Sequence, residues 1–155
     1  MTTLIQNGTL VDPASGVHEI RDLWIDGDRI ASPAGQTDLV IDAAGKIVCP
    51  GFIDIHMHED PVSAAGELDS YDEKSVFACM LHMGVTTAVA GNCGENKFHP
   101  ADYLDLVDRD GAPVNVGMLA GHGFFRRAAG CTDRYAPAGA AERDRMAAEI
   151  RELNS

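Results

Sequence analysis

Three short, nearly continuous apolar runs recur in the last two thirds of the chain: Gly51-Phe52-Ile53-Asp54-Ile55-His56, Val85 to Ala90, and Val114 to Ala120. Stretches of helical period follow each of them. In Ser70 to Met83, Val76, Phe77, Met80 and Leu81 fall at helical spacing, and Gly84 stands where a helix would stop. Pro100 to Asp108 puts Tyr103, Leu104 and Val107 on one side. Ala140 to Leu153 carries an apolar stripe of Met146, Ile150 and Leu153, with Glu142 in the first turn, where the helix dipole favours an anion. The order is β-α-β-α-β-α. Continuous apolar strands alternating with helices are parallel strands covered by helices, because such strands have no polar face to give to water.

Residues 1–48 follow a different rule. Thr3 to Ile5 and Thr9 to Val11 flank the turn pair Asn7-Gly8. Asp22 to Ile25 and Arg29 to Ala31 flank Asp26-Gly27-Asp28, a hairpin signal because glycine accepts the positive φ of a tight turn. Asp38 to Asp42 and Lys46 to Val48 flank Ala44-Gly45. This predicts a small, mostly antiparallel β module, too small for much of a core of its own.

The net charge is -12, from 12 basic and 24 acidic residues. Such a surface repels nucleic acid and anionic membranes, which excludes both as expected partners. No window reaches the roughly 20 apolar residues of a membrane span, and Met1 to Asn7 has no basic, apolar leader. The four cysteines form no C-x-x-C pair. A cytoplasmic protein with reduced thiols is the expectation.

Each predicted parallel strand leads into a loop with a His or Cys. Chemistry at the C-terminal ends of parallel strands marks an α/β barrel or a doubly wound sheet. His56-Met57-His58 sets two imidazoles at i and i+2, on one face of a strand, so both project into one space. Neutral imidazoles are good ligands for zinc and similar ions; two unrelated loop histidines are the alternative. Asp60 either orients a ligand or the strand end, or is a solvated loop carboxylate. Cys93, after the second strand, is either a thiolate ligand or a small buried residue in a tight turn. His122, after the third, either binds substrate or supports the metal surroundings, or it is structural. Arg126 either meets a substrate carboxylate bidentately or lies on the surface. Gly121-His122-Gly123 lacks the third glycine and the acidic residue of a nucleotide fingerprint. Cys49, Cys79 and Cys131 read as packing residues, and His18, His82 and His99 as surface or satisfied ones.

Pro50 to His58 resembles the first-strand motif of the amidohydrolase superfamily. Gly84-Val85-Thr86-Thr87 followed by Gly91-Asn92-Cys93-Gly94 resembles the N-acyl-D-amino-acid deacylase (D-aminoacylase) group in particular, as does Gly121-His122-Gly123 with Arg126. The β-rich start, with Asp26-Gly27-Asp28-Arg29-Ile30, is similar to the strand module that precedes the barrel there. The resemblance implies an α/β fold: a small β-sandwich module (1–48), then the first three βα units (49–155) of a metal-dependent (β/α)8 barrel. It implies one or two divalent ions, zinc first, with His56, His58 and Cys93 as ligands. It implies hydrolysis of a linear amide, with a small N-acyl (D-)amino acid as substrate. Most relatives use a carboxylated lysine or a glutamate where this group has cysteine, which favours linear over cyclic amides of the hydantoinase or dihydropyrimidinase type. Glu95-Asn96-Lys97 departs from the group's small-residue continuation. A non-catalytic accessory subunit is the remaining alternative, and the three intact ligands speak against it.

Such a barrel needs eight βα units and about 250 residues; three units are visible here. The resemblance puts two later histidines and a catalytic aspartate, the general base, beyond Ser155, at a boundary between units. The expectation is a second polypeptide that completes the barrel.

Overall fold

The computed structural model describes residues 1–33 and 35–153, so the expected unit boundary at Ser155 lies outside the described residues. Contacts separate the chain into two compact units, Met1–Pro50 and Gly51–Ser155. No helix among the described residues is long and apolar enough to cross a membrane.

The first unit is all β: β1 (Thr2–Gln6), β2 (Thr9–Asp12), β3 (Val17–Ile20), β4 (Leu23–Asp26), β5 (Arg29–Ala31), β6 (Leu39–Asp42) and β7 (Ile47–Val48). They form two sheets, ordered β5-β4-β1-β6 and β3-β2-β7. The Asp26-Gly27-Asp28 signal gives the expected β4–β5 hairpin, with Asp26 opposite Arg29 and Gly27 at φ 61. The other two turn pairs act differently. Asn7 takes a left-handed backbone, its side chain donates to Asp42 Oδ1 (3.1 Å) and its N–H to Asp22 Oδ1 (3.2 Å). The chain therefore steps from one sheet into the other instead of folding back. β1 pairs in parallel with β6, and β2 with β7. Among the described residues three of the five strand pairings are antiparallel and two are parallel, so the module is mostly antiparallel, with parallel pairs where β6 and β7 join; a turn pair marks a reversal, not the sheet that the next strand joins.

The second unit holds a three-stranded parallel sheet, β8 (Phe52–Asp54), β9 (Val85–Ala90) and β10 (Asn115–Met118), in the order β10-β9-β8. Four α-helices follow the strands: α1 (Val76–His82), α2 (Pro100–Asp110), α3 (His122–Ala128) and α4 (Ala140–Glu152). The central strand β9 supplies Val85, Ala88 and Ala90 to a core with Phe77 and Met80 of α1, Tyr103 of α2, and Met57, Leu68 and Val114. A smaller cluster joins Phe125 and Ala129 to Met146 of α4.

Helix α1 starts six residues later than expected from the apolar spacing. The cause is Asp60, which is 1% exposed. Its carboxylate accepts from Ser70 Oγ (3.1 Å), Ser75 Oγ (2.5 Å) and the Val76 N–H (2.7 Å), while Ser75 Oγ caps the Ala78 N–H. Residues 70–75 are thereby fixed as turn, and the helix begins where the donors are satisfied. Cys79 is exposed, not packed, because Phe77 and Met80 face the sheet; Cys49 is also exposed and Cys131 half-buried. His99 packs edge-on against Phe125 at 5.8 Å.

The far end of α2 is pinned to the loop before α1. Arg109 donates to both Asp110 oxygens (2.6 and 2.7 Å) and to Gly66 O, and the Leu68 N–H donates to Asp110 Oδ2. The Arg109 guanidinium first, and the Leu68 N–H second, lower the Asp110 carboxyl from its ordinary 3.8 to about 2. A carboxyl whose folded value is depressed stabilises the fold above its unfolded value and loses that contribution as pH falls through the folded one. Stability is thus expected to drop between about pH 4 and pH 2, and Asp110→Asn to flatten that part of the curve. Thermal melts of both proteins across that range check it.

Candidate metal centre

The site is built from the loops at the C-terminal ends of the three parallel strands. β8 ends at Asp54 because Asp54 Oδ1 accepts the His56 N–H (2.9 Å), which turns the backbone out of the ladder. Met57 is buried, and His56 and His58 on either side of it are exposed.

β9 ends in a tight turn, Asn92–Gly94, in which Cys93 has a left-handed backbone (φ 60, ψ 16). That conformation costs a non-glycine residue roughly 1–2 kcal/mol. Asn92 holds it in place: its amide donates to Val89 O (2.9 Å) on its own strand and to Met57 O (3.3 Å) between the two histidines. The result is that Cys93 Sγ lies 3.6 Å from His56 Nε2.

That separation fits a shared ion. Zinc–nitrogen and zinc–sulfur bonds of about 2.05 and 2.3 Å at a tetrahedral angle put the two ligand atoms about 3.6 Å apart. An imidazole and a thiol are also the donor types that zinc prefers. The same length suits a thiol–imidazole hydrogen bond. His58 does not join the pair: among the described residues no three His, Cys, Asp or Glu side chains are grouped to hold a metal. An i, i+2 pair shares a face only where the strand continues through residue 58; the ladder stops at Asp54, and His56 and His58 are exposed.

The remaining expected site residues are arranged otherwise. Asp60 spends its carboxylate on Ser70, Ser75 and Val76, and not on a histidine. His122 is exposed and is the first residue of α3, not part of a loop between two glycines. Arg126 donates to Asp133 O (2.9 Å) and to Ala136 O, so its guanidinium holds the chain beyond α3 instead of facing outward for a carboxylate.

Two buried residues went unnoticed in the sequence. Glu59 is 2% and Asn96 5% exposed. Asn96 Nδ2 donates to Glu59 Oε1 (3.2 Å) and Leu119 O (3.1 Å), and its Oδ1 accepts the Gly121 N–H (2.7 Å). Its neighbours are also engaged. Glu95 forms a two-pronged ion pair with Arg127 of α3 (3.0 and 2.5 Å), which holds the Glu95 carboxyl below its ordinary value, and Lys97 Nζ donates to Glu59 O (3.2 Å). The one available signal was the Glu95-Asn96-Lys97 departure itself. Glu59 Oε2 and Arg126 Nε are the buried side-chain polar atoms without a partner among the described residues.

Comparison with known proteins gives one consistent answer. The amidohydrolase family profile matches residues 39–154. The D-aminoacylase of Alcaligenes xylosoxydans xylosoxydans is 31% identical, over 81% of this chain and 30% of its own length. The crystal structure of the N-acyl-D-glutamate deacylase from Bordetella bronchiseptica, complexed with zinc and a phosphonate mimic of the tetrahedral intermediate, superposes with a TM-score of 0.78. It is 28% identical, over 97% of this chain and 35% of that one. The dihydroorotase of Aquifex aeolicus (strain VF5) is 33% identical, over 68% of this chain and 24% of its own length. The chain thus spans about a third of the length of the D-aminoacylase and the N-acyl-D-glutamate deacylase.

Proposed function

The chain belongs to the amidohydrolase family, and from that premise we propose that it carries the first metal ligands of a hydrolase of linear amides, one that deacylates an N-acyl (D-)amino acid. The observation that carries this reading is the His56–Cys93 pair, 3.6 Å apart at the ends of adjacent parallel strands. His56 and Cys93 would hold a zinc or equivalent ion, and His58 would have to turn toward them to serve as the third ligand that the resemblance implies. When bound, such an ion polarises the amide carbonyl and lowers the pKa of water. The chain's own part is to aim the ligands. Asn92 sets the Cys93 turn against the His56-Met57-His58 backbone, and the buried amide of Asn96 ties the loops together. The aspartate that serves as general base comes, on this reading, from the further βα units.

Cyclic-amide hydrolysis is the second reading, favoured by the dihydroorotase match. Coverage favours the linear amide, since the D-aminoacylase match extends over 81% of the chain against 68%. The test is the chain together with the polypeptide that completes the barrel, loaded with zinc and assayed on N-acetyl-D- and N-acetyl-L-amino acids and on cyclic ureides. Release of acetate is the expected result. Turnover of the ureides alone would reverse the assignment, and a zinc-loaded protein inert to both would point to an accessory role.

The further units we place on a second polypeptide. β8 and β10 are open sheet edges, and on β8 Phe52 and Ile53 are 60% and 65% exposed, with Ile55 just beyond at 69%. Apolar, unpaired edges of this kind favour association. Co-purification of the untagged partner is expected; a monodisperse, active single chain of 155 residues would refute this.

A further inference from the structure

We propose that Asn96 is a positioning residue for the metal ligands, acting through the three strand-end loops; the inference rests on the metal reading above. Three independent observations meet at this one side chain. The first is its reach. Glu59 is one residue beyond His58, Asn96 three beyond Cys93, and Leu119 and Gly121 stand three and one residues before His122. A single buried amide therefore bonds the loops after β8, β9 and β10. The second is its polarity. Both amide protons meet acceptors, a carboxylate and a carbonyl, and the amide oxygen meets an N–H. Only an amide in this orientation satisfies all three.

The third is the space made for it. A Cβ on Gly91 would lie 2.5 Å from Asn96 Nδ2 and 2.4 Å from Leu119 O, and one on Gly121 would lie 2.7 Å from Asn96 Oδ1. At both positions the amide and the adjoining backbone, Leu119 O at Gly91 and Gly94 O at Gly121, together leave no room for a side chain. On either side, Glu95 grips Arg127 of α3 and Lys97 reaches Glu59 O, so the whole Glu95-Asn96-Lys97 segment points into neighbouring loops. The Asn96 tie to Glu59 fixes the segment that carries His56 and His58. The tie to Leu119 and Gly121 fixes the opposite side of the Cys93 turn. A turn held in a left-handed backbone needs such bracing to keep its thiol at 3.6 Å from the imidazole.

Asn96→Asp is the discriminating change, because it keeps the shape and replaces the amide NH2 donor by an acceptor oxygen facing the Glu59 carboxylate and the Leu119 carbonyl. Glu59→Gln added to it returns a donor to one of these contacts. Cobalt(II) is the probe, titrated into the chain in complex with the polypeptide that completes the barrel, with Cys93→Ala identifying the thiolate-to-metal absorption band that belongs to Cys93. Asn96→Asp is expected to weaken cobalt binding about 10–100-fold, the usual effect of losing a residue that orients ligands, and to shift or weaken the band. The Asn96→Asp/Glu59→Gln protein is expected to recover part of both. A residue that merely stabilised the fold would lower the melting temperature and leave the band and affinity of the folded fraction unchanged; that result overturns the inference. Should Asn96→Asp not fold, Asn96→Ala removes the same bonds without adding charge, and wild-type affinity in that variant overturns it equally. A wild-type protein with no Cys93-dependent band overturns the metal reading itself, and the inference with it.

Discussion

Cys93→Ala is expected to cost the completed enzyme, this chain with its partner polypeptide, its tight metal binding and, with it, amide hydrolysis. Removing a residue that only orients a ligand typically costs about 10–100-fold, so removing a ligand should cost at least about 100-fold in affinity. The fold should be almost untouched. Cys93 is exposed, so truncating it opens no cavity, and alanine bears the same left-handed backbone penalty as cysteine. Metal content by mass spectrometry, turnover and a thermal melt read the three quantities separately. Loss of metal and turnover with an unchanged melt is the expected pattern. If turnover disappears while metal content stays the same, the thiol is a nucleophile hydrogen-bonded to His56 and not a ligand. If the melt collapses and the refolded fraction keeps full activity, Cys93 is structural.

The parts of this chain legible in the sequence are those set by local pattern. The apolar runs at 51–56, 85–90 and 114–120 became the parallel strands β8, β9 and β10, because apolar strands alternating with helices pack as a parallel sheet against those helices. Asp26-Gly27-Asp28 made its hairpin because a two-residue reversal is decided by backbone dihedrals alone. Legibility failed where a distant partner decides. Asn7-Gly8 is a turn, but the bonds from Asn7 to Asp22 and Asp42 choose the sheet. The spacing around Phe77 and Met80 fixed the face of α1, while its start was set by Asp60, at a separation of 16 residues. At the site, Cys93 could be placed near His56 because parallel strands end together. The buried pair Glu59–Asn96 spans 37 residues and belongs to no periodic pattern, so the Glu95-Asn96-Lys97 departure marks the segment but not its partner. Arg126 illustrates the converse, a residue whose type suggested a carboxylate and whose partners are Asp133 and Ala136 carbonyls.

Asp60→Ala is expected to destabilise the α/β unit by about 3 kcal/mol or more, without altering metal affinity per folded molecule. The carboxylate is 1% exposed and takes three donors, two hydroxyls and the first free N–H of α1. Hydrogen bonds to a charged group contribute about 1.5–3 kcal/mol each, and a buried donor left unmet costs about 1–3 kcal/mol. The Ser70 and Ser75 hydroxyls can rotate toward other acceptors; the Val76 N–H cannot, so the loss falls chiefly on the start of α1. Through Phe77 and Met80 that helix covers β9, and a frayed first turn loosens the core beneath it. Against a total of about 5–15 kcal/mol for a domain, the loss is a large fraction. Asp60→Asn should cost less, since its remaining oxygen can still receive the Val76 N–H while the serine hydroxyls turn to accept from the amide. Chemical denaturation of the three proteins, with cobalt titration of each, separates the roles. A graded fall in stability from Asp through Asn to Ala, at constant metal affinity, identifies the residue that starts α1. A variant that keeps its stability but binds metal more weakly would return Asp60 to the metal ligands as their support.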